Sequence, residues 1–428
     1  MKKKCKAPHL VYADLEGNIY DTPILKMMER SGRDIHPVLP ETLIPLPDGS
    51  ELFILPERHP TGWDEKTQRP VILYENPERP GEKVYAVAAF ISPAHTLTAL
   101  AAFKKSQPAS SPLPLFAYGA VGWWKNRFWV AAFRSDPDKR QDLKNFDENI
   151  LRAKTFSKLE KFKHNRLIQH LGRCCLTYGC PAAKNFFLAR WEAPIPTSPN
   201  CNARCMGCIS QQPEDGPPAT QERIKFIPTP EEILELAAPH LKNAERAIVS
   251  FGQGCEGEPL LQAGLLEEAI RKIRKETDKG TINLNTNGSR PEIVESLINA
   301  GLDSIRISMN SVREPYYTKY YRPRGYRYKD VLKTWEIMKK AGRFVSINLF
   351  VLPGLTDEPD EFERLTELIE TFGLDLIQLR NHNIDPDWYL DHIGYKKSGK
   401  AMGIKNMIKK LKRRFPGLRF GYFNPPLR

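Results

Sequence analysis

The chain has 428 residues, 41% hydrophobic and 27% charged, with a net charge of +13 and eight cysteines. This is an ordinary globular composition, too long for one small domain, and no apolar run reaches the ~18 residues of a transmembrane helix, so no membrane partner is expected. The start, Met1-Lys2-Lys3-Lys4-Cys5-Lys6, is basic with no apolar core behind it; the expectation is no secretory signal, a cytoplasmic location, and cysteines held as thiols or metal ligands.

Residues 1–135 read as a small, mostly-β N-terminal domain. Val11-Tyr12-Ala13 and Asn18-Ile19-Tyr20 flank Glu16-Gly17. Leu43-Ile44-Pro45 and Leu52 to Leu55 flank Asp48-Gly49, which predicts a hairpin. Val71 to Tyr74 and Val84 to Val87 flank a Pro/Gly turn, and Phe128 to Ala131 follows a turn at Lys125-Asn126. No chemistry-bearing motif stands out here, and His36 and His59 read as structural. Residues 136–185 read as a helical connector carrying Cys174, Cys175 and Cys180, since proline is absent between Pro137 and Pro181.

From residue 186 to 395 strands and helices alternate. Strands are expected at Phe187–Trp191, Ala247–Phe251, Thr281–Asn285, Ser304–Met309, Phe344–Leu352 and Leu374–Arg380. Thr229-Pro230-Glu231-Glu232 and Ser289-Arg290-Pro291-Glu292 have the spacing of a capped helix start. Leu261, Leu265, Leu266, Ala269, Ile270 and Ile273 form one apolar face, as do Phe362, Leu365, Leu368, Ile369 and Phe372. Six such units predict an α/β fold, a partial (β/α)6 TIM-like barrel with ligands at the carboxyl ends of its strands. Residues 396–428 form a basic C-terminal tail or helix with eleven Lys or Arg and no Asp or Glu. It is either a solvated face, a docking surface for an acidic protein, or a contact for nucleic acid; no base-reading motif accompanies it.

Cys201, Cys205 and Cys208 lie within eight residues on the loop after the first expected barrel strand. Soft thiolates select iron–sulfur clusters or zinc. A structural zinc site wants four protein ligands in paired spacings, whereas three cysteines on a 4Fe–4S cluster leave one iron open. Three unligated cysteines at this density are the weaker alternative.

The C-x3-C-x2-C spacing resembles the radical S-adenosylmethionine (SAM) superfamily over roughly residues 185–385. The resemblance implies a 4Fe–4S cluster on Cys201, Cys205 and Cys208, with SAM on the open iron. It implies an oxygen-sensitive enzyme that cleaves SAM reductively to a 5′-deoxyadenosyl radical for hydrogen abstraction. The family usually places an aromatic or large residue before the third cysteine, where this chain has Gly207. Gly257-Glu258-Pro259 resembles the end of the family's glycine–glycine–glutamate–proline motif, with Glu256 in place of the first glycine. Glycine permits close backbone approach, and a carboxylate can accept from an α-amino group. The resemblance further implies SAM contacts from strand-end polar residues, here Asn285, Asn287, Ser308 and Asn310. Leu352-Pro353-Gly354 resembles the segment along adenine, and Arg380 and Asn381 suit a carboxylate or the substrate. Arg306 reads equally as a surface ion pair.

Cys174, Cys175 and Cys180 are candidates for an auxiliary iron–sulfur cluster, or else buried thiols. Cys255, beside the SAM motif, is a candidate hydrogen-atom donor, a fourth ligand for that extra site, or a small buried residue. An acidic flavodoxin- or ferredoxin-like reductant is the implied partner. The substrate is open, with a peptide or protein the first expectation. An RNA-modifying radical SAM enzyme and a non-catalytic cysteine–metal module are the alternatives.

Overall fold

The computed structural model describes residues 7–214 and 216–428. The basic start lies outside them. The N-terminal part is a thirteen-stranded, largely antiparallel sheet. The strand His9–Ala13 pairs with Ile19–Ser31 around Gly17, as the pattern predicts. Val121–Trp124 and Arg127–Arg134 form a hairpin whose turn residues, Lys125 and Asn126, both have positive φ, the conformation a two-residue hairpin turn requires.

Two expectations fail here. Asp48-Gly49 does turn the chain, but its flanking strands separate: Leu43–Pro45 pairs with Arg127–Arg134, and Glu51–Leu55 pairs with Tyr85–Phe90. The strands expected around the Pro/Gly turn part in the same way, because a short hairpin, Glu75–Asn76 with Arg79–Lys83, intervenes. Turn chemistry specifies a local reversal; which edge each strand meets is decided by the sheet.

Helices α1 (Glu148–Lys161), α2 (Arg166–Leu176) and α3 (Pro181–Phe187) follow. The strand expected at Phe187–Trp191 is absent. Pro181 at the first helical position starts α3 there, and the first barrel strand, β1, is Glu192–Ile195. The barrel continues as α4 (Pro230–Asn243), β2 (Ile248–Phe251), α5 (Ala263–Glu276), β3 (Thr281–Thr286), α6 (Val294–Ala300), β4 (Ser304–Met309), α7 (Glu314–Tyr321), α8 (Tyr328–Lys340), β5 (Phe344–Val351), α9 (Pro359–Phe372), β6 (Leu376–Asn381), α10 (Pro386–His392), α11 (Ile404–Arg414) and β7 (Arg419–Gly421). All seven strands are parallel, in sequence order. Thr229 forms the expected capping box on α4. The matching expectation at Ser289 fails, because its hydroxyl accepts from Asn202 and a 3-10 turn precedes α6. On α5, Leu266, Ile270 and Ile273 are buried with Ala269, and the three large side chains contribute roughly 5–9 kcal/mol of gross burial.

The basic tail is part of this barrel. Helix α11 buries Ile404, Met407, Ile408 and Leu411, and β7 adds a seventh strand beside β6. The last residues then cross the amino-terminal mouth of the barrel. Asn424 donates to Glu192 (2.8 Å) and accepts from Gln378 (2.7 Å). Leu427 donates its backbone N–H to Thr281, and Arg428 pairs with Asp303.

The β-rich part is clamped to the opposite rim. Arg58 pairs with Asp385 at 2.8 Å, both side chains 2% exposed or less. Arg30 pairs with Asp387, and Asn381 bonds the backbone of Leu97 and His95. The Gly32 N–H donates to Pro353 O at 2.6 Å, and a Cβ on Gly354 would lie 2.0 Å from Gly32 N. Only glycine at 354 permits this approach.

Candidate active site

The carboxyl ends of β1 to β6 carry the motif residues to one rim. The loop after β1 holds Cys201, Cys205 and Cys208. Its backbone is fixed by α7: the N–H of Arg204 donates to Tyr321 O, and that of Met206 to Tyr320 O. A Cβ on Gly207 would meet Ile384 at 2.7 Å and the Tyr320 hydroxyl at 2.8 Å. The bulk that the family keeps at this position thus comes from Ile384 and Tyr320 instead.

Burial, then the charge of Glu258, pushes the Cys201 thiol up to about 11. Burial, then Cys208 and Cys201, pushes Cys205 well above its ordinary value. Buried thiols of this kind need a cation to become thiolates. Among the described residues, the group of three His, Cys, Asp or Glu whose ligand atoms all lie within 4.8 Å of one another is His170, Cys174 and Cys255. The three loop thiols are not such a group, and they provide three soft ligands. This donor set fits a 4Fe–4S cluster with one open iron. Arg223, which the sequence reading missed, donates to Cys208 Sγ (3.4 Å) and to Ser210 Oγ (3.2 Å). It sits in an irregular segment with no motif to mark it.

The loop after β2 seats on this one. Gly257 donates its N–H to Ser198 O at 2.6 Å, and a Cβ there would lie 1.9 Å from Asn200 O. Glu256, in the place of the family's glycine, locks the same contact: its buried carboxylate accepts from the backbone N–H of Thr197, Ser198 and Gln253. Burial raises its pKa to about 7. Glu258 is also occupied. It accepts from the N–H of Leu260 (3.0 Å) and Asn287 (2.8 Å) and from the Thr286 hydroxyl. Its carboxylate thus fastens the ends of β2 and β3 to each other rather than standing open to an amino group.

The other expected residues separate in the same way. Asn287 bonds Asn202 at 2.8 Å, Asn310 donates to the Tyr389 hydroxyl at 2.9 Å, and Asn285 donates to Gly252 O at 2.9 Å. Asn381 is turned to the N-terminal sheet. Ser308 and Arg380 are half-buried on the inner face. Cys255 turns away from the barrel, toward Cys174 and His170 on α2, so the hydrogen-donor role expected for it lacks a position facing the rim. The anticipated second metal centre near Cys174, Cys175 and Cys180 does find a ligand group, with Cys174 as its member. Cys175 instead contacts Thr155 of α1.

The barrel interior is polar. By register, Asn285, Arg306 and Ser346 form one row, and Ser308, Asn348 and Gln378 the next. Arg306 is therefore interior, not a surface ion pair. It donates to Gln378 (3.3 Å), and its Nε has no partner. Burial, then repulsion from Arg380, lowers its pKa to about 9, with Glu192 opposing. Arg380 stacks over Tyr422 of the tail at 4.0 Å. Arg380 lies two positions beyond Gln378 and shares its face, so two guanidiniums belong to this polar interior.

Residues 195–369 match the radical SAM superfamily. The chain is 31% identical over 192 residues to a probable GTP 3′,8-cyclase of Aeropyrum pernix, covering 44% of this chain and 50% of that protein. It is 29% identical over 224 residues to the GTP 3′,8-cyclase of Aquifex aeolicus, covering 50% and 63%. It spans about half the length of the curated relatives it matches. Among solved structures, methylornithine synthase aligns with TM-score 0.38 and 17% identity over 66% of this chain and 77% of that one. The three-cysteine loop at the rim of the parallel partial barrel lies within the segment, residues 195–369, that matches the radical SAM superfamily.

Proposed function

We propose that this protein is a radical SAM enzyme acting on an anionic substrate of the nucleotide class, held inside the barrel. One observation carries the substrate class: Arg306 beside Gln378, and Arg380 two positions beyond Gln378 on the same strand face, put two guanidiniums on the inner side of the barrel. A guanidinium pair is suited to phosphate oxygens, which it engages in a bidentate manner. Relatives named for GTP 3′,8-cyclase activity support a nucleotide over a peptide.

A 4Fe–4S cluster held by Cys201, Cys205 and Cys208 supplies one-electron cleavage of SAM and a radical that abstracts hydrogen. The chain's own residues prepare the place. Gly257 lets the second loop rest on the cluster loop, while Glu256 and Glu258 hold that loop rigid. Ser308 and Arg380 would present polar atoms toward SAM and substrate, with Asn285, Asn287 and Asn310 positioning the rim. Asn424 and the tail close the bowl from below and keep bulk water from that mouth. Arg223 donates to a cluster sulfur, which in iron–sulfur proteins shifts the potential. A flavodoxin- or ferredoxin-like protein delivers the electron.

The test is anaerobic. Reconstituted protein with dithionite and SAM is assayed for 5′-deoxyadenosine with GTP, with other nucleoside triphosphates, and with none. The C201A/C205A/C208A variant is the control. Nucleotide-stimulated product from the parent, lost in the control and reduced in Arg306→Gln, is the expected result. Product from the parent that no nucleotide stimulates would sink the substrate assignment, and no cluster in the parent would sink the enzyme assignment.

A further inference from the structure

The second thiol group lies outside the site just described. His170 and Cys174 are four residues apart on α2 and so share one helix face. Cys255 comes from the loop after β2, 81 residues further along the chain. The His170 Nε2, Cys174 Sγ and Cys255 Sγ atoms all lie within 4.8 Å of one another, and the first two are 3.5 Å apart. Cys180 adjoins them through the backbone: it caps α3 and its N–H donates to Cys174 O at 3.0 Å, while its thiol lies outside the 4.8 Å group. His170 also borders an open cleft with Arg173, Tyr178 and Arg223.

We infer that His170, Cys174, Cys180 and Cys255 form a second metal site that takes a single thiophilic divalent ion, zinc by its chemistry. The spacing decides between a lone ion and a cluster. Tetrahedral zinc with bonds of 2.0–2.3 Å places its ligand atoms about 3.5–3.8 Å apart. The 3.5 Å pair is already at that distance, and the 4.8 Å group needs only a small contraction. Thiolates on different irons of a cubane are pushed apart by the cluster body, and the loop thiols do not form a 4.8 Å group. Imidazole with three thiolates is a common structural zinc set. Cys175 is excluded because the next position on a helix points about 100° away, and its thiol lies against Thr155.

Binding forms three metal–sulfur bonds and one metal–nitrogen bond, and it releases the thiol protons to solvent. The ion ties the helical connector to the loop Gly252–Glu258, the segment that seats on Asn200 and Cys201. It fastens together two parts of the chain that share few other bonds at this point, without taking part in the redox chemistry.

The test is metal content, so it does not depend on the proposed activity. The full chain is produced anaerobically with zinc and iron present. Zinc, iron and sulfide are counted in the parent, C201A/C205A/C208A, C174S/C255S and C175S. About one zinc per chain is expected in the parent, in the loop triple variant and in C175S. C174S/C255S loses it and keeps the iron of the loop cluster. Chelator-treated loop triple variant is also titrated with cobalt(II), which keeps the inference testable if C174S/C255S does not fold. One equivalent giving thiolate-to-cobalt charge transfer and intense four-coordinate bands is the expected result. Iron and sulfide retained without zinc in the loop triple variant would overturn the inference in favour of a cluster. No metal uptake, or a Cys174–Cys255 disulfide, would overturn it outright.

Discussion

The contact between Arg58 and Asp385 makes a quantitative prediction. Both side chains are 2% exposed or less, and they meet at 2.8 Å. The guanidinium also donates to Pro56 O (2.9 Å) and Ser111 O (2.7 Å). Asp385 in turn accepts from the N–H of Leu113 and caps α10. Replacing Arg58 with alanine leaves a buried carboxylate without its cation and two carbonyls without a donor. Losing one partner of such a pair costs about 3–5 kcal/mol. The assay is urea unfolding of R58A, D385N and the double variant, with the transition followed by tryptophan fluorescence and by far-ultraviolet dichroism. The R58A transition should move to lower urea by that free energy. The double variant should recover part of the loss, with a coupling energy above ~1.5 kcal/mol. A loss below ~1 kcal/mol, or strict additivity, would refute the view that this pair holds the N-terminal sheet on the barrel rim.

Further outcomes follow from other residues. Arg223→Gln should change the midpoint potential of the loop cluster, measured by redox titration followed by electron paramagnetic resonance, with iron content unchanged; an unaltered potential would remove Arg223 from the cluster's surroundings. Gly257→Val should lose cluster occupancy or SAM binding, read by iron content and equilibrium dialysis, because its Cβ would fall 1.9 Å from Asn200 O; full retention of both would show that the loops move apart freely. His240 is buried, its ring nitrogen lies 2.8 Å from Trp191 O, and burial lowers its pKa from 6.5 to about 4. The unfolded chain therefore binds the extra proton first, and stability falls as pH drops from about 6.5 to 4, by about 3 kcal/mol for this group. His240→Phe should flatten that part of the curve, and an unchanged acid slope in denaturant titrations would contradict the argument. Asn424→Leu strips hydrogen bonds from Glu192, Ser250 and Gln378, and it should cost about 1–3 kcal/mol by the same unfolding assay.

The basic tail shows where local pattern stops informing. Its eleven cations and absent carboxylates suggested a solvated face or a docking surface. In the fold α11 buries one apolar side, Arg414 pairs with Glu370, and Asn424 reaches the centre of the barrel. Asparagine in a proline-rich tail carries no local signal for that role. Arg306 is a similar case. Alternation along Ser304–Met309 made it a strand residue, but its inward direction became clear only when the register set it beside Asn285 and Ser346.

What the sequence determined by itself was whatever depends on short spacing. The three cysteines within eight residues, the alternation of strand and helix, the capping box at Thr229 and the glycine that must meet a backbone were all legible, because each is set by neighbours along the chain. The tertiary structure alone decided which strands pair, that Glu256 and Glu258 are fasteners, and that Cys255 joins His170 and Cys174 rather than the barrel mouth. Outcomes of this kind depend on segments far apart in the chain, as Arg58 and Asp385 are at 327 residues. Such contacts arise when sheet register and helix packing bring distant side chains within a few ångströms, and no periodicity of the chain records them.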